Sequence, residues 1–215
     1  MTEQTYQDMR RAMVASQLRT TGVNDPRVLA AMSEVARERF VPEARRATAY
    51  ADAPIPLPGG RALNPPMALG LLLTEARLDG DERTLVIGAG TGYAAAVVSR
   101  LVSSVVAVEE DAALAALARA ALEGTSVTVV ESPLAAGGPD GPYDFVLIDG
   151  AVPEVPQSII DQVADGGQIA TGLIERGVTR LAIGRAVSGA AGFITFADAA
   201  IAPLPGFSAP QGFSF

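Results

Sequence analysis

The segment 84–102 constrains the fold most, because it joins an apolar stretch to an alanine-rich one through three glycines at alternate positions. The loop reads G-A-G-T-G, with glycines at Gly88, Gly90 and Gly92. Glycine lets the backbone turn sharply and lets a ligand approach where a Cβ atom would block it. The N-terminus of a helix that follows offers free N–H groups and the positive end of the helix dipole. The segment therefore predicts a strand–loop–helix unit that binds a ligand at the loop.

The composition excludes two common ligands of glycine-rich loops. The chain contains no lysine, so the Walker sequence G-x-x-x-x-G-K-[ST] of nucleoside triphosphate-binding proteins cannot occur. The dinucleotide fingerprint G-x-G-x-x-G has its third glycine one position later, where this chain has Tyr93. Histidine and cysteine are also absent, which excludes a histidine general base, a thiolate nucleophile and a histidine metal site. We expect no metal.

Charge and hydropathy limit the partners. The net charge of −8 disfavours nucleic acid, because duplex binding depends on neutralising phosphates. No apolar run reaches the roughly 18 residues that a membrane-spanning helix needs. The first residues are polar and lack the apolar core of a signal peptide. We therefore expect a cytoplasmic protein that binds neither nucleic acid nor membrane.

An acidic residue follows the glycine loop at an informative spacing. Glu109 ends the next predicted strand, about twenty residues after the first glycine, where a carboxylate can accept both hydroxyls of a ribose. The alternative is that Glu109 and Glu110 only stabilise the N-terminus of the helix that starts near Asp111. Ribose binding is the preferred interpretation for Glu109, and both interpretations stay open for Glu110. The loop and the acid together predict an adenosyl ligand.

The first quarter of the chain has a different pattern from the rest. Residues 5–50 carry apolar side chains at helical spacing, with Asn24 or Asp25 as a helix cap and Pro26 in the first turn. Residues 51–66 hold five of the fifteen prolines, which predicts an irregular loop or linker.

After this loop the chain alternates between strands and helices. Five continuous apolar strands separated by helices predict a parallel sheet covered on both faces. Residues 176–203 then predict an antiparallel hairpin with its turn at 188–192. The fold class is α/β: a doubly wound, mostly parallel sheet with an N-terminal helical lobe and a C-terminal antiparallel hairpin. We expect one domain over 1–215, with the lobe and loop at 1–66 and the cofactor-binding core at 67–215.

The glycine spacing G-x-G-x-G resembles that of class I S-adenosylmethionine-dependent methyltransferases. The N-terminal half adds the sequences QLRTTGVNDPRVLAAMSEVARERFVP and AYADAPIPL, and the core adds VIGAGTGYAAAVVSRLV, AVEED and PYDFVLIDGAVPEVPQ. In this order they resemble the protein-L-isoaspartate O-methyltransferase family over nearly the whole chain.

The resemblance also locates a catalytic segment. The family's signature reads approximately G-Q-T-[IV]-S-x-P, and its serine lies beside the reacting carboxylate and the methyl donor. This chain has GRALNPP at 60–66, with Ala62 at the threonine position and Asn64 at the serine position. Asparagine still donates and accepts hydrogen bonds, so the resemblance implies Asn64 as the catalytic residue.

Two further positions depart from the pattern. Val86 stands where many class I methyltransferases have an acid two residues before the first glycine. Ser132 and Pro133 stand where the family tends to have a G-D-G turn after the third strand. Missing charge-assisted hydrogen bonds of about 1.5–3 kcal/mol each would weaken cofactor binding.

The resemblance implies S-adenosylmethionine as the cofactor and S-adenosylhomocysteine as its product. The acceptor would be a protein or peptide carrying isoaspartate, or a small molecule. The implied cofactor-binding residues are Gly88, Ala89, Gly90, Thr91, Gly92, Glu109 and Glu110.

Three functions stay open. The chain is a carboxyl methyltransferase of the isoaspartate type, a methyltransferase for another small acceptor, or a non-catalytic protein on the same fold. Asp149 ends the fourth strand of the core, at the edge where open parallel sheets bind ligands. It lines the methyl-transfer site or binds loop amides.

Overall fold

A central sheet of seven strands organises the chain in the computed structural model, which describes residues 1–207. The helices are α1 Glu3–Ala12, α2 Pro26–Glu34, α3 Pro66–Ala76, α4 Tyr93–Val98, α5 Ala112–Ala121 and α6 Gln157–Ile160. The strands are β1 Ile55–Pro56, β2 Ala62–Leu63, β3 Arg83–Ile87, β4 Ser104–Glu109, β5 Val127–Glu131, β6 Tyr143–Val152, β7 Val163–Glu175, β8 Val178–Val187 and β9 Ala190–Asp198.

The order of the large sheet is β5-β4-β3-β6-β7-β8-β9. The pairs from β5 to β7 are parallel, and β8 and β9 are antiparallel to their neighbours. This confirms the predicted mostly parallel sheet with an antiparallel hairpin at its C-terminal end. The strand order reverses between β3 and β6, and the carboxyl ends of the strands at such a switch point are where sheets of this type bind ligands.

The final hairpin turns more tightly than the sequence predicts. Val187 pairs with Ala190, so the turn consists of Ser188 and Gly189 alone rather than the five residues 188–192. Both residues have positive φ, +52° and +78°, which matches the twist of the flanking strands. The predicted turn was therefore too long, because pairing with β8 holds alanine and glycine in the edge strand despite their low strand propensity.

The N-terminal lobe is helical, as predicted. Asp25 caps α2, because its carboxylate accepts the Arg27 N–H at 2.8 Å, and Pro26 occupies the first helical position. Residues 51–66 are irregular except for the short antiparallel pair of β1 with β2.

The two faces of the sheet are covered differently. Alternate strand residues such as Val86 and Leu85 belong to two separate clusters of buried side chains. The first cluster includes the N-terminal lobe and α2 to α5. The second is closed by α6, by a short helical turn at Leu134–Ala136, and by Leu204 and Phe207. These two belong to residues 199–207, which we call the C-terminal segment and whose Ile201 packs in the first cluster. In the described part of the chain, no helix is long and apolar enough to cross a membrane.

Candidate active site

The glycine loop lies at the carboxyl end of β3 and turns there as its sequence predicts. Gly88, Gly90 and Gly92 all have positive φ, between +56° and +99°. The N–H groups of Gly88 and Ala89 both donate to the carbonyl of Val108 at 3.0 Å, which fixes the loop against β4. All five loop residues, including Thr91, are buried in this structure.

Glu109 lies at the carboxyl end of β4 and is fully buried. Its Oε2 atom accepts the Gly90 N–H at 2.7 Å. Its Oε1 atom accepts the backbone N–H groups of Glu110 and Asp111 at 3.0 and 3.1 Å. The carboxylate therefore joins the glycine loop to the chain that enters α5. Asp111 itself caps that helix by accepting two backbone N–H groups.

Glu110, the second predicted acid, is exposed. Its Oε2 atom accepts the N–H of Leu134, a residue of the second cluster, in a long hydrogen bond of 3.4 Å. The structure thus places the Glu109 carboxylate at the glycine loop and the Glu110 carboxylate at the Leu134 N–H.

An arginine that the sequence analysis missed completes the surroundings of Glu109. Arg61 Nη1 lies 2.6 Å from Glu109 Oε1, and the two side chains are 6% and 0% exposed. Breaking a buried pair of this kind by removing one partner is strongly destabilising. The available signal was that Arg61 replaces the glutamine of the family's signature segment.

The C-terminal segment covers the same edge of the sheet. Ala151 N–H donates to the Ala202 carbonyl and Leu204 N–H donates to the Ala151 carbonyl, each at 2.9 Å. Leu204 packs into the space left by two glycines, since a Cβ atom on Gly88 or Gly150 would lie 2.9 or 2.3 Å from its side-chain carbons.

Asn64, the predicted catalytic residue, lies at the carboxyl end of β6 and is 5% exposed. Its Nδ2 donates to the Asp149 carbonyl at 2.9 Å and to Asp149 Oδ1 at 3.0 Å. Its Oδ1 accepts the Ala202 N–H at 2.9 Å. Asn64 therefore ties the signature segment to both β6 and the C-terminal segment.

Asp149 contacts a side-chain amide rather than the loop amides considered from the sequence. Burial raises the pKa of its carboxyl, and the Asn64 hydrogen bond and the nearby Arg37 oppose that rise. A carboxyl with a raised pKa at this edge of the sheet is typical of functional sites.

The raised pKa predicts a pH-dependent effect of Asp149→Asn. The native carboxyl holds its proton to a higher pH than the unfolded one. Its contribution to the free energy of unfolding is therefore full below the ordinary pKa of 3.8 and is lost as the pH rises through the native pKa. Relative to wild type, the variant should gain stability over that interval, by up to about 1.4 kcal/mol per pH unit. Urea unfolding at several pH values from about 4 to 8 measures it. A difference in unfolding free energy between Asp149→Asn and wild type that does not vary with pH would contradict the raised pKa of Asp149.

Arg37 is a second residue that the sequence analysis missed. Its guanidinium is completely buried, and it donates to the Ala49 carbonyl at 2.7 Å and the Asn64 carbonyl at 2.6 Å. It also lies 4.5 Å from the centre of the Tyr93 ring, in the first residue of α4. Burial lowers the pKa of Arg37. This side chain joins the N-terminal lobe, the signature segment and the end of the glycine loop.

Comparison with known proteins identifies a family and relatives of similar sequence. Residues 9–181 match the family described as Protein-L-isoaspartate(D-aspartate) O-methyltransferase (PCMT). Protein-L-isoaspartate O-methyltransferase 1 of Rhodopseudomonas palustris strain HaA2 is 40% identical over 164 residues, which is 74% of this chain and 67% of the relative. The protein-L-isoaspartate O-methyltransferase of Methanoregula boonei is 41% identical over 166 residues, 75% of this chain and 76% of the relative.

Solved structures share the fold. A protein-L-isoaspartate O-methyltransferase superimposes with a TM-score of 0.79 at 24% identity, over 92% of this chain and 66% of the other. A protein of the same description from Plasmodium falciparum, solved in complex with S-adenosyl-L-homocysteine, gives 0.77 at 17% identity, over 91% and 97%. With the family match and the relatives near 40% identity, these findings show that the chain belongs to the protein-L-isoaspartate O-methyltransferase family.

Proposed function

We propose that this chain transfers a methyl group from S-adenosylmethionine to a carboxylate of damaged aspartyl residues in proteins or peptides, the reaction for which its family is named. The observation that carries the proposal is the position of Glu109. Its carboxylate contacts the glycine loop at the carboxyl ends of two adjacent parallel strands, where a nucleoside binds in sheets of this type. The family membership and the S-adenosylhomocysteine complex of the Plasmodium relative support the same ligand.

The residues present fit an adenosyl cofactor in their backbone geometry. The loop offers a turn without Cβ atoms at Gly88, Gly90 and Gly92, and Glu109 offers a carboxylate for the ribose hydroxyls. The full set proposed to hold the cofactor is Gly88, Ala89, Gly90, Thr91, Gly92, Glu109 and Glu110. When bound, S-adenosylmethionine supplies an electrophilic methyl group on a cationic sulfur.

The proposed reaction requires no general base from the protein. A carboxylate acceptor is already ionised at neutral pH, so no side chain has to remove its proton, and a chain without histidine can serve it. The side chains have to orient the acceptor and exclude water. We propose Asn64 for the orienting role, because it is held against Asp149 and the C-terminal segment by three hydrogen bonds.

A pair of matched peptides tests the function. An isoaspartyl peptide should gain a labelled methyl ester from S-adenosylmethionine, and the same peptide with ordinary aspartate should gain none. Asn64→Ala should lower kcat/KM by about 10–100-fold, because a small misplacement of reacting groups has effects of this size. Asn64→Ser, which keeps a hydrogen-bonding group, should lose less. Folded wild-type protein that forms no ester above the blank would overturn the proposal.

A further inference from the structure

The proposed cofactor site is covered by side chains of the protein itself. A Cβ atom on Gly88 would lie 2.9 Å from Leu204 and 3.3 Å from Arg61 Nη2. A Cβ atom on Gly90 would lie 3.4 Å from Leu57. These three covering side chains come from the loop around β1 and β2 and from the C-terminal segment. They lie where a ligand would approach the glycines.

The Oε1 atom of Glu109 has no acceptor position left for a ribose hydroxyl, whereas Oε2 has one. An ionised carboxylate offers about four lone-pair sites. In this structure Oε1 accepts three N–H donors, from Glu110, Asp111 and Arg61, and Oε2 accepts one, from Gly90. Three of these donors are backbone groups fixed by the loop and the entry to α5. Among the described residues, Arg61 is the one side-chain donor to this carboxylate, and a ribose hydroxyl reaches Oε1 only by taking its place.

The two covering elements are also joined to each other. Asn64 follows β2 directly, and its Oδ1 accepts the Ala202 N–H of the C-terminal segment at 2.9 Å. Arg61 precedes β2, and Leu204 lies two residues beyond Ala202. Displacement of either element therefore loosens the attachment of the other.

We propose that Arg61 and Leu204 determine cofactor affinity in this chain by closing the nucleoside site. Arg61 has to leave Glu109 before a ribose binds through both carboxylate oxygens, and Leu204 has to leave Gly88. The inference rests on the proposed function, since it concerns the site for the same cofactor. When only a fraction of the molecules is open, the apparent affinity falls by that fraction.

Calorimetric titration with S-adenosylmethionine and S-adenosylhomocysteine tests this closure. Arg61→Gln shortens and neutralises the side chain, and it should bind S-adenosylhomocysteine at least about tenfold more tightly than wild type. Leu204→Ala keeps the Arg61–Glu109 pair and should tighten binding about two- to fivefold. Because Arg61→Gln should bind the ligand more tightly, the same ligand concentration should also raise its melting temperature more than that of wild type.

Arg10→Gln is the matched control. Arg10 lies 3.1 Å from Glu38 in another buried ion pair, in the N-terminal lobe, so its loss disturbs folding to a similar degree away from the loop. Its affinity for the cofactor should equal that of wild type. An equal gain in cofactor affinity in Arg10→Gln would overturn the inference, because the gain would then come from general destabilisation of the fold.

The remaining outcomes separate the inference from the function. Wild type that binds the cofactor, with Arg61→Gln and Leu204→Ala no tighter, overturns the closure and leaves the proposed function standing. If neither wild type nor any variant binds up to millimolar ligand, the closure and the proposed function are both overturned. If Arg61→Gln does not fold, Leu204→Ala decides alone, because it breaks no charge pair.

Discussion

Replacing Glu109 by alanine should lower the free energy of unfolding by about 3–5 kcal/mol. The substitution leaves the guanidinium of Arg61 buried without its partner, 6% exposed in the present structure. It also leaves the N–H groups of Gly90, Glu110 and Asp111 without an acceptor. A donor that stays unsatisfied accounts for about 1–3 kcal/mol of this total, and water that enters the space left by the side chain limits the loss. Urea unfolding followed by circular dichroism measures the loss.

Two further variants show whether this loss belongs to the buried carboxylate. Glu109→Gln keeps the shape and one oxygen acceptor, but its NH₂ group must face a donor, so its stability should lie between wild type and Glu109→Ala. Glu34→Ala removes the partner of Arg100 at 3.4 Å, where both side chains are 57% exposed, and should change stability by less than about 1 kcal/mol. Equal losses in Glu34→Ala and Glu109→Ala would show that the buried pair contributes nothing special.

The parts of the fold that could be predicted from the sequence depend on local patterns. Apolar runs of strand length and the glycines at 88, 90 and 92 predicted the parallel sheet and the loop at its edge, because each pattern lies within a few residues of the structure it forms. The extents of the elements were harder to predict. The alanine-rich stretch that begins at Tyr93 gives a helix of six residues only. The D-G-G sequence at 165–167 is typical of a turn but lies inside β7, at a change of register. Packing against neighbouring elements decides such boundaries, and a local sequence pattern carries no information about that packing.

The candidate site divides in the same way. The place of Glu109 beside the loop could be predicted, because its distance along the chain from the loop is set by one strand–helix–strand unit. Arg61 lies 48 residues from Glu109, and Asn64 lies 138 residues from Ala202. No periodicity links residues so far apart. Leu204 could not be found at all, since a single leucine in an irregular segment carries no pattern of its own.

Arg37 is the clearest case of a missed residue, and its replacement by methionine should lower the free energy of unfolding by about 3 kcal/mol. Methionine fills a similar volume but donates no hydrogen bond, so the carbonyls of Ala49 and Asn64 lose their donors at about 1–3 kcal/mol each. The contact with the Tyr93 ring adds about 1 kcal/mol or more. The removal of a buried charge, whose pKa burial already lowers, offsets part of the loss.

Tyr93→Phe is the control for this variant. It keeps the ring beneath the guanidinium and removes a hydroxyl that makes no hydrogen bond within residues 1–207, so stability should change by less than about 1 kcal/mol. Arg37→Met should also weaken cofactor binding or turnover, because Asn64 and the first residue of α4 then lose their common support. A variant that is destabilised but fully active would show that Arg37 holds the lobe without positioning the site. One with unchanged stability would show that the hydrogen bonds of Asn64 alone suffice to hold the signature segment.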